Sequence, residues 1–144
     1  MPYDFANHGA LVTGAASGIG LATARLLAAS GATPVVATDW NSESLNNAFS
    51  GFEGVVRLAG DVADEAFWSD AMPHIRDTRL AVINAGISSS GAIETLNFEE
   101  WRRVLSVNLD GAFLTLRAAI RAIKAHGKGG AIVITASASG LKAE

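Results

Sequence analysis

Short runs of consecutive apolar residues alternate along the chain with longer stretches in which apolar positions return every three or four residues. The first run, Ala10-Leu11-Val12-Thr13, predicts a strand, and Ile19, Ala22, Leu26 and Ala29 predict a helix that Gly31 closes in a left-handed conformation. Further along, residues 34–38 read as a second strand, 42–49 as a short polar helix and 55–59 as a third strand. Asp64 then caps a helix that Pro73 limits, and 80–84 form a fourth strand. Residues 85–96 are rich in Gly and Ser and predict a loop. Asn97 caps the longest helix, with Glu100 in the reciprocal position of a capping box. Phe98, Trp101, Val104 and Leu105 open its apolar face, and helical spacing persists to about Ala125, before the glycines at 127, 129 and 130 end it. Residues 131–135 read as a fifth strand.

Strands that alternate with helices predict a parallel sheet covered on both faces, because each parallel crossover needs a helix-length connection and runs right-handed. The fold class expected is therefore doubly wound α/β, and 144 residues with 49% apolar content suffice for one domain over 1–144. Charge narrows the partners. Lys and Arg number 11 against 14 Asp and Glu, a net charge of −3 with no basic run, which argues against nucleic acid. No cysteine is present, and His8, His74 and His126 stand far apart, so no metal site is expected. Residues 1–8 carry Asp4 and no apolar signal core, and apolar stretches break before membrane-spanning length, so a soluble, cytoplasmic protein is expected.

Candidate chemistry begins directly after the first strand, where Thr13-Gly14-Ala15-Ala16-Ser17-Gly18-Ile19-Gly20 leads into the first helix. Glycines let the backbone turn tightly and approach a ligand, and the helix amino terminus offers unpaired N–H groups and a positive dipole end to a pyrophosphate. The Ser17 hydroxyl adds a donor. Asp39 ends the second strand, about 20 residues beyond the loop, where a carboxylate accepts hydrogen bonds from an adenosine ribose. It would repel a 2′-phosphate, and Trp40, Asn41 and Ser42 bring no cation beside it, so NAD is expected in preference to NADP. A strand-end or capping acid is the plainer alternative for Asp39.

The loop spacing differs from G-x-G-x-x-G and is matched by four further blocks in order: Asp61-Val62, Asn84-Ala85-Gly86, Asn108, and Ser137-Ala138-Ser139-Gly140. Together they resemble the amino-terminal part of the classical short-chain dehydrogenase/reductase family. That resemblance implies a Rossmann-type sheet in the order 3-2-1-4-5, and an oxidoreductase moving hydride between NAD(H) and an alcohol or ketone. It implies that Thr13, Gly14, Ser17, Gly18, Ile19 and Gly20 hold the pyrophosphate, that Asp61 bonds the adenine amino group, and that the Val62 backbone lines the adenine pocket. It places Asn84, Ala85 and Gly86 beside the nicotinamide ribose. Asn108 would be a catalytic asparagine at a local break in the helix, its carbonyl holding a water, and Ser137 the catalytic serine facing the substrate oxygen. The loop from Ile87 to Leu96, with Ile87, Ser88, Ser89 and Ile93, would line part of the substrate pocket.

The resemblance also implies a tyrosine about thirteen residues beyond Ser137 and a lysine further on, with additional carboxyl-terminal strands and helices, all past Glu144. Tyr3 is the only tyrosine, and Lys124, Lys128 and Lys142 stand in no Tyr-x-x-x-Lys pattern. The 144-residue chain is thus expected to bind cofactor without completing catalysis, and to associate with copies of itself through the helix at 97–125. The competing expectation is a non-catalytic dinucleotide-binding or interaction module.

Overall fold

A computed structural model of the chain describes residues 4–140; Tyr3 and Lys142 lie outside the described residues. In chain order the described residues form β1 (Gly9–Thr13), α1 (Gly18–Ala29), β2 (Val35–Asp39), α2 (Ser42–Ala48), β3 (Val55–Ala59), α3 (Glu65–Ile75) and β4 (Thr78–Ile83). After a loop come α4 (Phe98–Leu105), a π-helical turn (Ser106–Gly111), α5 (Ala112–His126), β5 (Ala131–Ile134) and a 3₁₀ turn (Ala138–Gly140). The strands pair in parallel in the order β3-β2-β1-β4-β5, the doubly wound order expected.

Alternation along the strands divides the core between the two faces of the sheet. Leu11, Val36 and Ala81 pack with Trp68 and Ile75 of α3 and Leu114, Ala118, Ala119 and Ala122 of α5. On the opposite face, Ala10, Val12, Val35 and Ala37 meet Ala24 and Leu27 of α1 and Leu45 and Phe49 at α2. Each fully buried Leu, Val or Ile there contributes about 1.5–3 kcal/mol. β1 and most of β2 are sealed on both faces, which holds their carboxyl ends rigidly where the glycine loop and Asp39 begin. β5 is different. As the edge strand it leaves Val133 60% and Ile134 51% exposed.

Gly31 closes α1 as anticipated. At φ +90° it donates to Ala28 O while Ala32 N–H reaches back to Leu27 O, the paired bonds of a Schellman motif. Asp64 accepts from Ala66 N–H at the head of α3, and Asn97 from Glu100 N–H at the head of α4.

Three details depart from the pattern. Pro73 lies inside α3, which continues to Ile75. So close to the end, the missing proline N–H removes one helical bond without preventing two more helical residues. The capping box at Asn97 is only half made, because both Glu100 carboxylate oxygens take the Arg103 guanidinium at 2.8 Å, which also holds that carboxyl below its ordinary range. The helix expected over 97–125 contains the π turn where the resemblance implied a local break at Asn108, a widening of the ladder that apolar spacing alone does not announce.

Candidate functional site

The carboxyl ends of β1, β2, β4 and β5 lie side by side, and the loops that leave them bring together most of the residues singled out above. At the end of β1, Thr13 Oγ1 accepts two backbone N–H groups, from Asn84 at 2.9 Å and Ala85 at 3.0 Å, while Thr13 O accepts from Asn84 Nδ2 at 3.3 Å. The fully buried threonine therefore clamps the glycine loop to the end of β4.

The glycines divide by task. A Cβ on Gly20 would stand 2.1 Å from Gly14 O and 2.7 Å from Asn84 Nδ2, and one on Gly14 3.0 Å from Ala85 Cα, so both allow loop and helix to press against β4. Gly18 is otherwise. Its φ is +52° and nothing lies within 4 Å of a Cβ built there, so its face is open to a ligand. Ser17 precedes α1 in an extended conformation, and its hydroxyl makes no capping bond. Ile19, in the first turn, is 67% exposed. The start of α1 thus presents helix N–H groups, a free hydroxyl and an unobstructed glycine, which together suit an anionic oxygen cluster.

Asp39 makes contacts that the sequence does not suggest. Its Oδ2 accepts the Ala16 N–H at 3.0 Å and its Oδ1 the Asn41 N–H at 3.2 Å, so the carboxylate ties the glycine loop to the end of β2. Of the plainer alternatives, Asp39 does stand at a strand end, while the cap of α2 is Asn41, through Ser44 N–H. Asp61 makes an Asx turn, its Oδ1 accepting from Ala63 N–H at 2.8 Å, and its Oδ2 has no partner among the described residues. Val62 is a core residue by its side chain, and its carbonyl accepts Trp68 Nε1 at 2.8 Å. Its N–H makes no hydrogen bond among the described residues, so a donor and an acceptor stand unclaimed side by side.

Asn108 sits within the π turn and reaches across to the loop after β4. Its Oδ1 accepts the Ile87 N–H and its Nδ2 donates to Ile87 O, both at 2.8 Å. A Cβ on Gly86 would lie 3.5 Å from Asn108 Oδ1, so this glycine leaves room for the amide. Ser137 opens the 3₁₀ turn after β5, where its Oγ accepts from Ser139 N–H at 3.2 Å and its own proton has no acceptor among the described residues. The structure thus bonds Thr13 to Asn84 and Ala85, packs Gly14 and Gly20 against them, and links Asn108 to its neighbouring loop. Two contacts here were not anticipated: the Ala16 N–H that Asp39 holds, and Thr135, whose hydroxyl donates to Asn84 Oδ1 at 3.0 Å. Neither carries a sequence signal, since each depends on where separate strands end.

Among the described residues, no group of three or more His, Asp or Glu side chains is placed to hold a metal ion. No helix among them is long and apolar enough to cross a membrane.

The family model for short chain dehydrogenase matches residues 8–144. Cyclohexanol dehydrogenase from Acinetobacter sp. (strain SE19) is 39% identical, in an alignment covering 98% of this chain and 59% of that protein. Trans-4-hydroxycyclohexanecarboxylate dehydrogenase from Sinomonas cyclohexanicum is 34% identical, over 92% of this chain and 55% of its own length. The NADP-dependent (R)-specific alcohol dehydrogenase of Lentilactobacillus kefiri is 37% identical with the same coverage, 92% and 55%. Among solved structures, a short-chain type dehydrogenase/reductase from Mycobacterium marinum superimposes with a TM-score of 0.90 at 33% identity, covering 98% of this chain and 60% of the other. The chain therefore spans 55–59% of the length of these three relatives.

Proposed function

The chain belongs to the short-chain dehydrogenase family, and on that footing we propose that it binds NAD in preference to NADP as the nucleotide-binding part of an alcohol or carbonyl oxidoreductase. The observation that carries this reading is Asp39, an acid at the end of β2 bonded to the glycine loop with no Lys or Arg in the residues that follow. A ribose hydroxyl can donate to such a carboxylate, whereas a 2′-phosphate would be repelled. One relative is named as NADP-dependent, so the nucleotide is argued from this chain's own residues.

The unclaimed groups fit the rest of a dinucleotide. Ser17, the N–H groups at the start of α1 and the open face of Gly18 would take the pyrophosphate. The Val62 N–H and Asp61 Oδ2 are a donor and an acceptor, suited to a ring nitrogen and the amino group of adenine. NAD supplies the hydride-accepting ring when bound. Ser137, whose oxygen already accepts a bond, keeps its proton to donate to a substrate oxygen, while Asn108 holds the loop that begins at Ile87. Small alcohols or ketones are the substrates this reading implies.

Exposed Phe98, Leu109, Phe113 and Ile120 on the helical stretch from α4 to α5 support self-association through that surface. Titrating the 144-residue chain with NADH and NADPH, followed by nucleotide fluorescence, tests the nucleotide reading. NADH should bind more tightly, without turnover by this chain, which contains no Tyr-x-x-x-Lys pair. Folded protein that binds neither nucleotide, or that favours NADPH, overturns it.

A further inference from the structure

Asn84 is the point where three strand ends meet. Its backbone N–H goes to Thr13 Oγ1 and its Nδ2 to Thr13 O, both at the end of β1. Its Oδ1 accepts from Thr135 Oγ1, in the residue after β5, at 3.0 Å. An amide turned the other way would set Oδ1 against the Thr13 carbonyl oxygen, so the orientation seen requires a donor on the far side, and Thr135 is that donor. The hydroxyl is presented from a fixed backbone, because Thr135 N–H donates to Ile83 O at 2.9 Å and extends the β4–β5 ladder by one residue.

On the other side, Asn84 Nδ2 has little freedom to move. It would lie 2.7 Å from a Cβ on Gly20 and 3.1 Å from one on Gly14, so the glycine loop is packed directly against this amide. Ser137 follows Thr135 by two residues, in the turn that carries the serine.

We propose that Thr135 is a positioning residue: by donating its hydroxyl to Asn84 it fixes the amide that braces the glycine loop, and so sets that loop and the Ser137 turn in register. The part concerning nucleotide affinity rests on the cofactor reading above; the part concerning the Asn84 amide does not.

Two readouts on the ¹⁵N-labelled 144-residue chain separate these parts. In the first, without nucleotide, the Asn84 side-chain amide should shift in T135V and exchange with water at least roughly fivefold faster, while T135S, which keeps the donor, should retain the parental resonance. In the second, T135V should bind NADH roughly fivefold more weakly and T135S like the parent. T135A removes the same donor without a second methyl and replaces T135V should that variant fail to fold. An Asn84 amide unchanged in T135V, or a T135S variant indistinguishable from T135V, overturns the proposal. A shifted amide with undiminished NADH affinity overturns the link to the loop. If the parent chain binds no NADH, the cofactor reading fails and the amide resonances alone decide the role of Thr135.

Discussion

Asp39 holds Ala16 across 23 residues of sequence: its Oδ2 accepts the Ala16 N–H at 3.0 Å, in the middle of the glycine loop. Its other oxygen holds Asn41 N–H, so one carboxylate fixes the geometry of two chain segments besides the ribose contact proposed for it. Replacing it should therefore do more than relax a preference between nucleotides. Asp39→Ala is expected to lose about 1–2 kcal/mol of stability, measured by denaturant unfolding, because two backbone donors lose a charged acceptor at a half-buried site. NADH affinity should fall further than NADPH affinity. Asp39→Asn, with one acceptor oxygen for two donors, should lie between. Parental stability in Asp39→Ala would show that the loop holds its shape without this tether.

Gly18 and Gly51 share a backbone problem and differ in their surroundings. Both are left-handed, at φ +52° and +77°, and neither has an atom within 4 Å of a Cβ built on it. Alanine at either should cost the same steric strain, about 1–2 kcal/mol, so the two variants should unfold at similar denaturant concentrations. Only Gly18 faces the start of α1, where the pyrophosphate is proposed to lie. Gly18→Ala should thus weaken NADH binding while Gly51→Ala leaves it unchanged, as read by fluorescence titration. Equal affinities in the two variants would remove Gly18 from the nucleotide site.

How much of this was legible beforehand follows the range of the interaction. The order of elements could be read because apolar spacing, Gly31 after α1, Asp64 before α3 and Asn97 before α4 are local signals, each acting within a few residues. The glycine loop, Asp39, Asn84 and Asn108 also stand out in the sequence, but the contacts they make within the chain do not. The loop pattern points Gly20 towards a ligand, and the structure adds that its missing Cβ makes room for Gly14 O and Asn84. Asp39 to Ala16 and Thr135 to Asn84 are contacts between strand ends, set by register and not by neighbours in sequence. Glu100 shows the same limit at short range, where Arg103 competes successfully for a carboxylate that the capping pattern assigned to the backbone.

Thr38 offers a test of packing apart from the ligand. Its Oγ1 is buried without a hydrogen-bond partner among the described residues, and the residue is 1% exposed. Desolvating an unpaired hydroxyl costs about 1–3 kcal/mol, and valine has nearly the same shape without that polar atom. Thr38→Val should accordingly be neutral or stabilising by up to about 2 kcal/mol in denaturant unfolding. A clear loss of stability would mean that the hydroxyl has a partner after all, such as an enclosed water.

Asn108 links the π turn to the loop after β4 through a two-way bond, accepting from Ile87 N–H and donating to Ile87 O. A carboxylate at this position could still accept from the N–H but would face the carbonyl oxygen with negative charge, and alanine would make neither bond. Asn108→Ala should cost about 1–2 kcal/mol, and Asn108→Asp should be comparably destabilised at neutral pH. Carbonyl repulsion holds the folded-state carboxyl above its ordinary range, so Asn108→Asp should recover part of the loss as pH falls from neutral towards that range, where the protonated acid regains a donor. The decisive measurement is amide hydrogen exchange at Ile87, whose N–H has Asn108 as its acceptor. Exchange there should accelerate in both variants at neutral pH beyond what the change in global stability explains. Unaltered protection at Ile87 in Asn108→Ala would mean that the loop is held by other contacts and that the asparagine does not position it.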